Sequence, residues 1–268
     1  MPAPDPAAVD LALLERAACE AGDIALRYWR KTPQVWDKPG GAGPVTEADL
    51  AVNAHLETLL RGARPDYGWL SEESTDTPER LAAAHCFIID PIDGTRAFID
   101  GQQGFSVSLA VARAGRIVAG IVHLPALEVT YTATQGSPAL RNGVAISASD
   151  HGLEGASVLA GKPSLDPRHW RGAVAPVARH FRPSLAWRFC LVAEGQFDAT
   201  LSTRPAWEWD VAAGALIAAQ AGCVVSDLAG QPMRFNSPRA LTEGLVVAAP
   251  ALHDALLAAM TPFTGSAG

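Results

Sequence analysis

The sequence predicts an α+β half followed by an α/β half, and three observations carry that reading. Two segments near the start place apolar residues at helical spacing. Residues 104–134 alternate and turn like a β-meander. Beyond about residue 150 strands and helices alternate, which is the rhythm of an α/β arrangement. We therefore divide the chain into an N-terminal half, 1–150, and a C-terminal half, 151–268. With 268 residues, 49% hydrophobic and 18% charged, it can bury a substantial core and is not a disordered polymer.

The elements follow in order. "LALLERAACEAGDIALRYWR" (11–30) reads as a long amphipathic helix, and "KTPQVWDKPGGAGP" (31–44), rich in Gly and Pro, as a mobile loop. Thr46 or Glu47 opens a second helix through "ADLAVNAHLETLLRG", with Thr46 and Asp49 spaced as a capping box. "YGWLSEES" supplies a short strand and an acidic loop, "CFIID" a buried strand, and "TRAFID" a short helix. The meander is "GFSVSLAVA", "RIVAGIVHL" and "LEVTYTAT". Then "ASVLA" reads as a strand, "WRFCLVAEG" as a helix, "FDATLS" as a strand and "DVAAGALIAAQAG" as a helix. "CVVSDL" and "GLVVAA" are strands, and "PALHDALLAAM" closes the chain as a helix with Pro250 in its first turn.

Bulk properties exclude several function classes. A net charge of −7 without a basic tract argues against nucleic-acid coating. A small anionic ligand would need metal ions or amides to overcome that background. Cys19, Cys86, Cys190 and Cys223 are widely spaced, as expected of reduced core thiols. "MPAPDPAAVD" has no basic residue ahead of an apolar region, and "VAAGALIAAQAGCVV" is too short to span a bilayer. The expectation is a soluble cytoplasmic protein with no membrane or polymeric nucleic-acid partner.

Its candidate chemistry lies in carboxylates. In "DPIDGT" (90–95), Asp90 ends a buried strand, where open α/β sheets place their ligands. Pro91 holds Asp90 extended, and a turn can bring Asp93 back to the same point. Gly94 permits backbone that other residues resist, and Thr95 starts a helix whose free N–H groups could hold phosphate. "SEES" (71–74) also fits a solvated loop, Asp210 in "WEWD" an N-cap worth ~1 kcal/mol, and Asp49 a first-turn acid favoured by the helix dipole. An Asx-rich turn alone would likewise account for part of "DPIDGT".

Taken together and in this order, "VTEADLAVN", "SEES", "DPIDGTRAF" and "EWDVAAGALIAAQAG" resemble the inositol monophosphatase superfamily of magnesium-dependent, lithium-sensitive phosphatases. The resemblance implies a five-layer αβαβα sandwich of the inositol monophosphatase and fructose-1,6-bisphosphatase type, with the site between the halves. It implies that Glu72, Asp90 and the Ile92 carbonyl hold one Mg²⁺. Asp90, Asp93 and Asp210 would hold a second, and a third near Glu72 stays open. It further implies that Asp49 and Thr95 orient and deprotonate water, while amides of Gly94 and Thr95 bind phosphate. Two unit charges 4 Å apart interact by roughly 4 kcal/mol at an effective dielectric of 20, so such a cluster calls for cations. Relatives are often homodimers. The glycine-rich "KPGGAG" is expected to order when metal and substrate bind.

The ester is a finer question. Inositol phosphatases carry a sugar-binding glutamate seven residues before the metal aspartate, where this chain has Thr203. "RFCLVAEGQFDATLSTRPAWEWDVAAG" (188–214) is similar to bacterial 3′(2′),5′-bisphosphate nucleotidases instead. Arg188 would serve a second phosphate or simply face solvent at a helix start. Trp207 and Trp209 would border a purine or pack in the core. The resulting expectation is hydrolysis of 3′-phosphoadenosine 5′-phosphate to AMP. Inositol monophosphatase or another sugar-alcohol phosphatase, such as histidinol phosphatase, is the alternative, and a catalytically silent metal-stabilised regulator is the rival class. No G-x-S-x-G or H-E-x-x-H occurs, and the seven histidines read mostly as surface or capping residues.

Overall fold

A computed structural model describes residues 5–38, 40 and 43–262. Helix α1 (Pro6–Tyr28) has Pro6 in its first turn, and Asp5 caps it by accepting the Ala7 N–H. Two short strands follow, β1 (Val35–Asp37) and β2 (Pro44–Thr46), paired antiparallel. They lie where the sequence predicts only a loop. Three-residue strands bearing Pro and Asp leave no alternation to detect. Pro39, Gly41 and Ala42 of the glycine-rich segment lie outside the described residues, and so does the expected ordering of that segment. Helix α2 (Glu47–Ala63) starts on the predicted capping box: the Thr46 side chain accepts the Asp49 N–H, and the Asp49 side chain accepts the Thr46 N–H.

The first sheet has seven strands in sequential order. They are β3 (Gly68–Ser71), β4 (His85–Asp93), β5 (Ser106–Arg113), β6 (Arg116–Leu124), β7 (Val129–Thr134), β8 (Leu140–Arg141) and β9 (Val144–Ala145). Only β3 and β4 run parallel, and the three central strands are the predicted meander. Helix α3 (Thr95–Ile99) leaves the end of β4. The two-residue strands β8 and β9 are too short to carry a sequence signal.

A second sheet follows, in the order β11-β10-β12-β16-β14. Its strands are β10 (Ser157–Ala160), β11 (Ala178–His180), β12 (Ala199–Ser202), β14 (Val224–Ser226) and β16 (Leu245–Ala248). The first three are mutually parallel, and β16 runs antiparallel to both of its neighbours. A two-residue ladder joins β13 (Ala206–Trp207) to β15 (Leu241–Thr242). Helices α4 (Leu185–Ala193), α5 (Glu208–Gln220) and α6 (Pro250–Ala259) complete the chain.

Layering follows from which faces are apolar. Helices α1 and α2 cover the outer face of the first sheet, burying Leu14, Val52 and Leu56 against Phe87, Ile89 and Leu109. Helices α4 and α5 lie between the two sheets, in a core that takes Ile88 and Ala110 from one and Leu159 and Val247 from the other. Helix α6 covers the far face of the second sheet through Leu252 and Leu256. Each fully buried Leu, Ile or Phe contributes roughly 1.5–3 kcal/mol. These are the five layers of the predicted αβαβα sandwich. The middle layer is tight: a Cβ on Gly214 of α5 would lie 2.7 Å from the Phe189 Cβ of α4.

Two local expectations need correction. Helix α5 begins at Glu208 with Trp207 at the cap position, so Asp210 is a first-turn acid and not the N-cap. Trp-Glu-Trp offers no ordinary capping side chain, which made the aspartate look like the start. His253 is buried, with Nε2 2.7 Å from Ser226 Oγ, instead of capping or facing solvent. No helix among the described residues is long and apolar enough to cross a membrane.

Candidate active site

Strand β4 is the axis of the site. Its odd residues pack under α1 and α2 and its even residues under α4 and α5. A regular strand would therefore send Asp90 and Asp93, three residues apart, to opposite faces. The register prevents this. Asp90 pairs with Ser108 and Asp93 with Ser106, so three steps on β4 match two on β5. That one-residue bulge turns both carboxylates into one cleft at the end of the strand. The sequence reading placed a turn here; the structure has the strand continuing, bulged, through Asp93.

The cleft holds about 690 Å³ and lies between the two halves. Glu72 enters it from the loop after β3, and Asp210 from the first turn of α5. One oxygen each of Glu72, Asp90 and Asp210 lie within 4.8 Å of one another. Burial, then the charges of Glu72, Asp93, Asp210 and Asp49, push the Asp90 carboxyl well above its ordinary range. Burial, then Asp93 and Glu72, do the same to Asp210. Asp93 is pushed up to about 6, chiefly by burial, against hydrogen bonds that favour its charge. Its Oδ2 accepts the Ser184 hydroxyl at 2.6 Å and the Ala186 N–H at 2.7 Å, at the start of α4.

Hydroxyl and backbone groups complete the centre. Asp49 Oδ2 accepts both the Thr46 N–H at 2.8 Å and the Thr46 hydroxyl at 2.5 Å. Thr95 Oγ lies 3.4 Å from Asp49 Oδ1 and 3.2 Å from the Ile92 carbonyl. Burial pushes Asp49 up to about 6. Gly94 has φ of +95°, and a Cβ there would lie 3.2 Å from the Gly104 carbonyl. Only glycine passes this point without strain.

The donor set fits a hard divalent cation. Every side-chain donor is a carboxylate oxygen, and buried Asp90 Oδ1 has no hydrogen-bond partner among the described residues. Buried polar atoms are normally paired, so an orphan oxygen on a residue clustered with two further carboxylates marks a missing partner. Oxygen-only clusters of this kind suit Mg²⁺.

Some site residues have no signal in the sequence. Lys38 Nζ donates to Glu72 Oε1 and Glu73 Oε1, each at 2.6 Å. Burial alone would lower its pKa, but the two carboxylates raise it. Burial also pushes Glu73 up to about 7. Arg96, Phe181 and Arg182 line the rim of the cleft. Lone basic residues in a helix and a loop gave no reason to single them out.

Other candidates lie elsewhere. Arg188 does not line the cleft. Its Nε donates to the Arg182 carbonyl at 2.6 Å, and its guanidinium lies 4.4 Å from the Phe181 ring centroid. It is half-buried at the start of α4, close enough to Asp93 and Asp210 for their charges to oppose the lowering of its pKa by burial, and its bonds hold the rim segment. Thr203, after β12, is also outside the lining, and its N–H donates to Ser164 Oγ. Trp209 stacks on Trp207 with centroids 4.7 Å apart, and its carbonyl accepts the Ser108 hydroxyl. Neither tryptophan borders the cleft.

Comparison with known proteins gives a consistent result. The family description "Inositol monophosphatase family" matches residues 7–263. The inositol-1-monophosphatase of Rhizobium meliloti is 34% identical over 74% of this chain and 78% of its own. The 3′(2′),5′-bisphosphate nucleotidase of Escherichia coli K12 is 31% identical over 82% of this chain and 91% of its own. Among solved structures, the extragenic suppressor protein suhB of Bartonella henselae superposes with a TM-score of 0.81 at 27% identity, over 93% of this chain and 97% of its own. The Thermotoga maritima inositol monophosphatase gives 0.78 at 26% identity, over 93% and 95%.

Proposed function

The chain belongs to the inositol monophosphatase family of metal-dependent phosphatases, and on that premise we propose that it is a Mg²⁺-dependent 3′(2′),5′-bisphosphate nucleotidase. The observation that carries the phosphatase part is the convergence of Glu72, Asp90 and Asp210, with one buried Asp90 oxygen left unpaired. What supports a bisphosphate substrate is the rim. Arg96 brings a guanidinium side chain to the lining and Phe181, 52% exposed, an aromatic ring, while the Arg182 guanidinium lies over the Phe197 ring, 5.2 Å from its centroid. Guanidinium suits phosphate, and an exposed ring beside it suits a base. Arg96 thus joins Arg188 as a second-phosphate candidate. The free cysteines, three of them buried, suit a reducing cytoplasm.

Glu72, Asp90 and the Ile92 carbonyl would hold one Mg²⁺, and Asp90, Asp93 and Asp210 a second. Such ions, when bound, neutralise the phosphoryl oxygens and stabilise the attacking and leaving oxygens of an in-line displacement. The protein's own groups do the rest. Thr95 Oγ can pass its hydrogen to Asp49 Oδ1 while accepting one from the attacking water. With a pKa near 6, Asp49 is mostly ionised at neutral pH yet basic enough to hold a proton. The Thr46 bonds keep its other oxygen in place. The one Thr95 hydrogen serves either acceptor, so turning it from the Ile92 carbonyl to Asp49 leaves that carbonyl open to a cation. N–H groups of Gly94 and Thr95 would face the phosphate. Water's oxygen joins phosphorus as one of its hydrogens passes to Asp49, and the ester P–O bond breaks. The departing oxygen takes a proton from solvent water to leave as the alcohol, and Asp49 returns its proton to solvent.

The test is turnover of 3′-phosphoadenosine 5′-phosphate, inositol 1-phosphate, histidinol phosphate and fructose 1,6-bisphosphate with Mg²⁺. The bisphosphate nucleotide should be hydrolysed with the highest kcat/KM. Faster release from inositol 1-phosphate would favour the second reading, a sugar-alcohol phosphatase, to which Asp100 and Gln102 on the rim would offer hydroxyl partners. Phosphate release from none of them would favour the silent regulator.

A further inference from the structure

Arg80 is 3% exposed, on a 3₁₀ turn spanning Pro78–Ala82 that the sequence does not announce. Its guanidinium ties three segments together. Nε and Nη2 donate to Asp76 Oδ1 and Oδ2 at 2.6 and 2.9 Å. Nη1 donates to Asn236 Oδ1 at 2.7 Å, and Nη2 to the Ser237 carbonyl at 2.9 Å. Asn236 answers with Nδ2 to the Arg80 carbonyl at 3.2 Å. On the other side of Asn236 and Ser237 lies Glu208, fully buried on α5. Its two carboxylate oxygens accept the Asn236 N–H at 2.5 Å and the Ser237 N–H at 3.0 Å. A continuous chain of hydrogen bonds therefore runs from Asp76 through Arg80, Asn236 and Ser237 to Glu208.

Where this chain ends is informative. Asp76 closes the acidic loop four residues after Glu72, and Glu208 precedes Asp210 by two on the same helical turn. Asp90 and Asp93 need no such support, because β4 and its bulge place them within the sheet. Glu72 is tied to β4 only through its N–H on the Ile89 carbonyl and leaves its side chain to Lys38, Asp210 comes from the opposite half, and like charge drives the two acids apart. Asn53 anchors the near side of the loop, donating to the Glu73 carbonyl and Ser74 Oγ. On the far side Asp76 accepts both bonds from Arg80. Neither Arg80 nor Glu208 lines the cleft.

We infer that the Asp76–Arg80–Asn236/Ser237–Glu208 chain is a positioning brace that sets the separation of Glu72 from Asp210, and with it the site's affinity for its divalent cation. This inference rests on reading the acid cluster as a metal site. Bidentate, charge-assisted bonds in buried surroundings are stiff, and a lysine cannot reproduce the guanidinium fork. Groups that hold metal ligands in place typically control affinity by 10–100-fold.

The test measures Mn²⁺ binding to the substrate-free full-length protein by electron paramagnetic resonance, beside the Mg²⁺ concentration giving half-maximal activity. Asp76→Ala, Glu208→Gln and Arg80→Met should each weaken Mn²⁺ binding by about tenfold or more and raise the Mg²⁺ requirement in parallel. kcat at saturating Mg²⁺ should stay near that of the parent, and Arg80→Lys should recover only part of the affinity. Asp76 is 43% exposed, so its truncation leaves a folded protein even if the Arg80 variants fail to fold. Unchanged Mn²⁺ affinity in folded Asp76→Ala and Glu208→Gln, with only a lowered Tm, would overturn the brace while leaving the metal reading intact. A parent protein that binds no Mn²⁺ would overturn both.

Discussion

Asp93 joins the two halves of the molecule through a single side chain. It sits at the end of β4, lines the cleft, and receives the hydroxyl and N–H that open α4. Asp93→Asn keeps an acceptor for those donors but removes the charge. Turnover should fall by about 100-fold or more with the fold retained, as circular dichroism and phosphate release would show. Thr95→Ala removes the hydroxyl between the Ile92 carbonyl and Asp49 and should lower kcat by about 10²–10⁴-fold with little change in KM. Asp49 stands at about 6 without metal, and a nearby cation can only lower it. The rate should therefore be flat from pH 7 to 8 and drop below about 6, as Asp49 takes up a proton. A rate that rises below pH 6 would contradict its role as base. These acids were legible because "DPIDGT" leaves two carboxylates and a hydroxyl that no turn requires. Lys38, Arg96 and Arg182 were not, since isolated basic residues carry no pattern. The structural partners of Arg188 were hidden too, because only the folded chain brings the Arg182 carbonyl and the Phe181 ring to it.

At the scale of elements, capping and close packing carry chemical consequences. The Thr46–Asp49 capping box starts α2 and at the same time orients Asp49. Thr46→Ala should cost about 1 kcal/mol of stability and reduce activity more than the fold, as denaturant melts and kinetics on one preparation would show. Gly214 lets α5 approach α4, and Gly214→Ala should cost about 1–3 kcal/mol, since Phe189 is trapped in the shared core. Long helices and the meander were legible from periodicity alone. The β1–β2 hairpin and the two-residue strands were not, because segments so short hold their shape through neighbours. The bulge in β4 was equally hidden: the sequence shows three residues from Asp90 to Asp93, but only pairing with β5 shows two opposite them.

On the scale of the whole molecule, the site is a meeting of layers: β4 and its loop from one side, the first turns of α4 and α5 from the other. Without cations the cluster stores repulsion, and its acids hold protons that cation binding must displace. Raised folded-state pKa values mean these acids favour the metal-free fold increasingly as pH falls from 7 toward 5. The rise in Tm produced by Mg²⁺ should therefore be greatest near pH 7.5 and shrink by pH 5.5, a comparison in which other titrating groups cancel. A Mg²⁺ effect that grows at low pH would contradict the cluster's role. The sequence by itself determined the helical and strand periods, the layer-forming apolar faces and the acids, because these are local patterns or short motifs with a chemical purpose. Only the tertiary structure decided which face the acids share, which basic groups reach them, and how Arg80 and Glu208 brace them. Those are matters of register and of contacts between segments up to 157 residues apart, set by packing that no local stretch encodes.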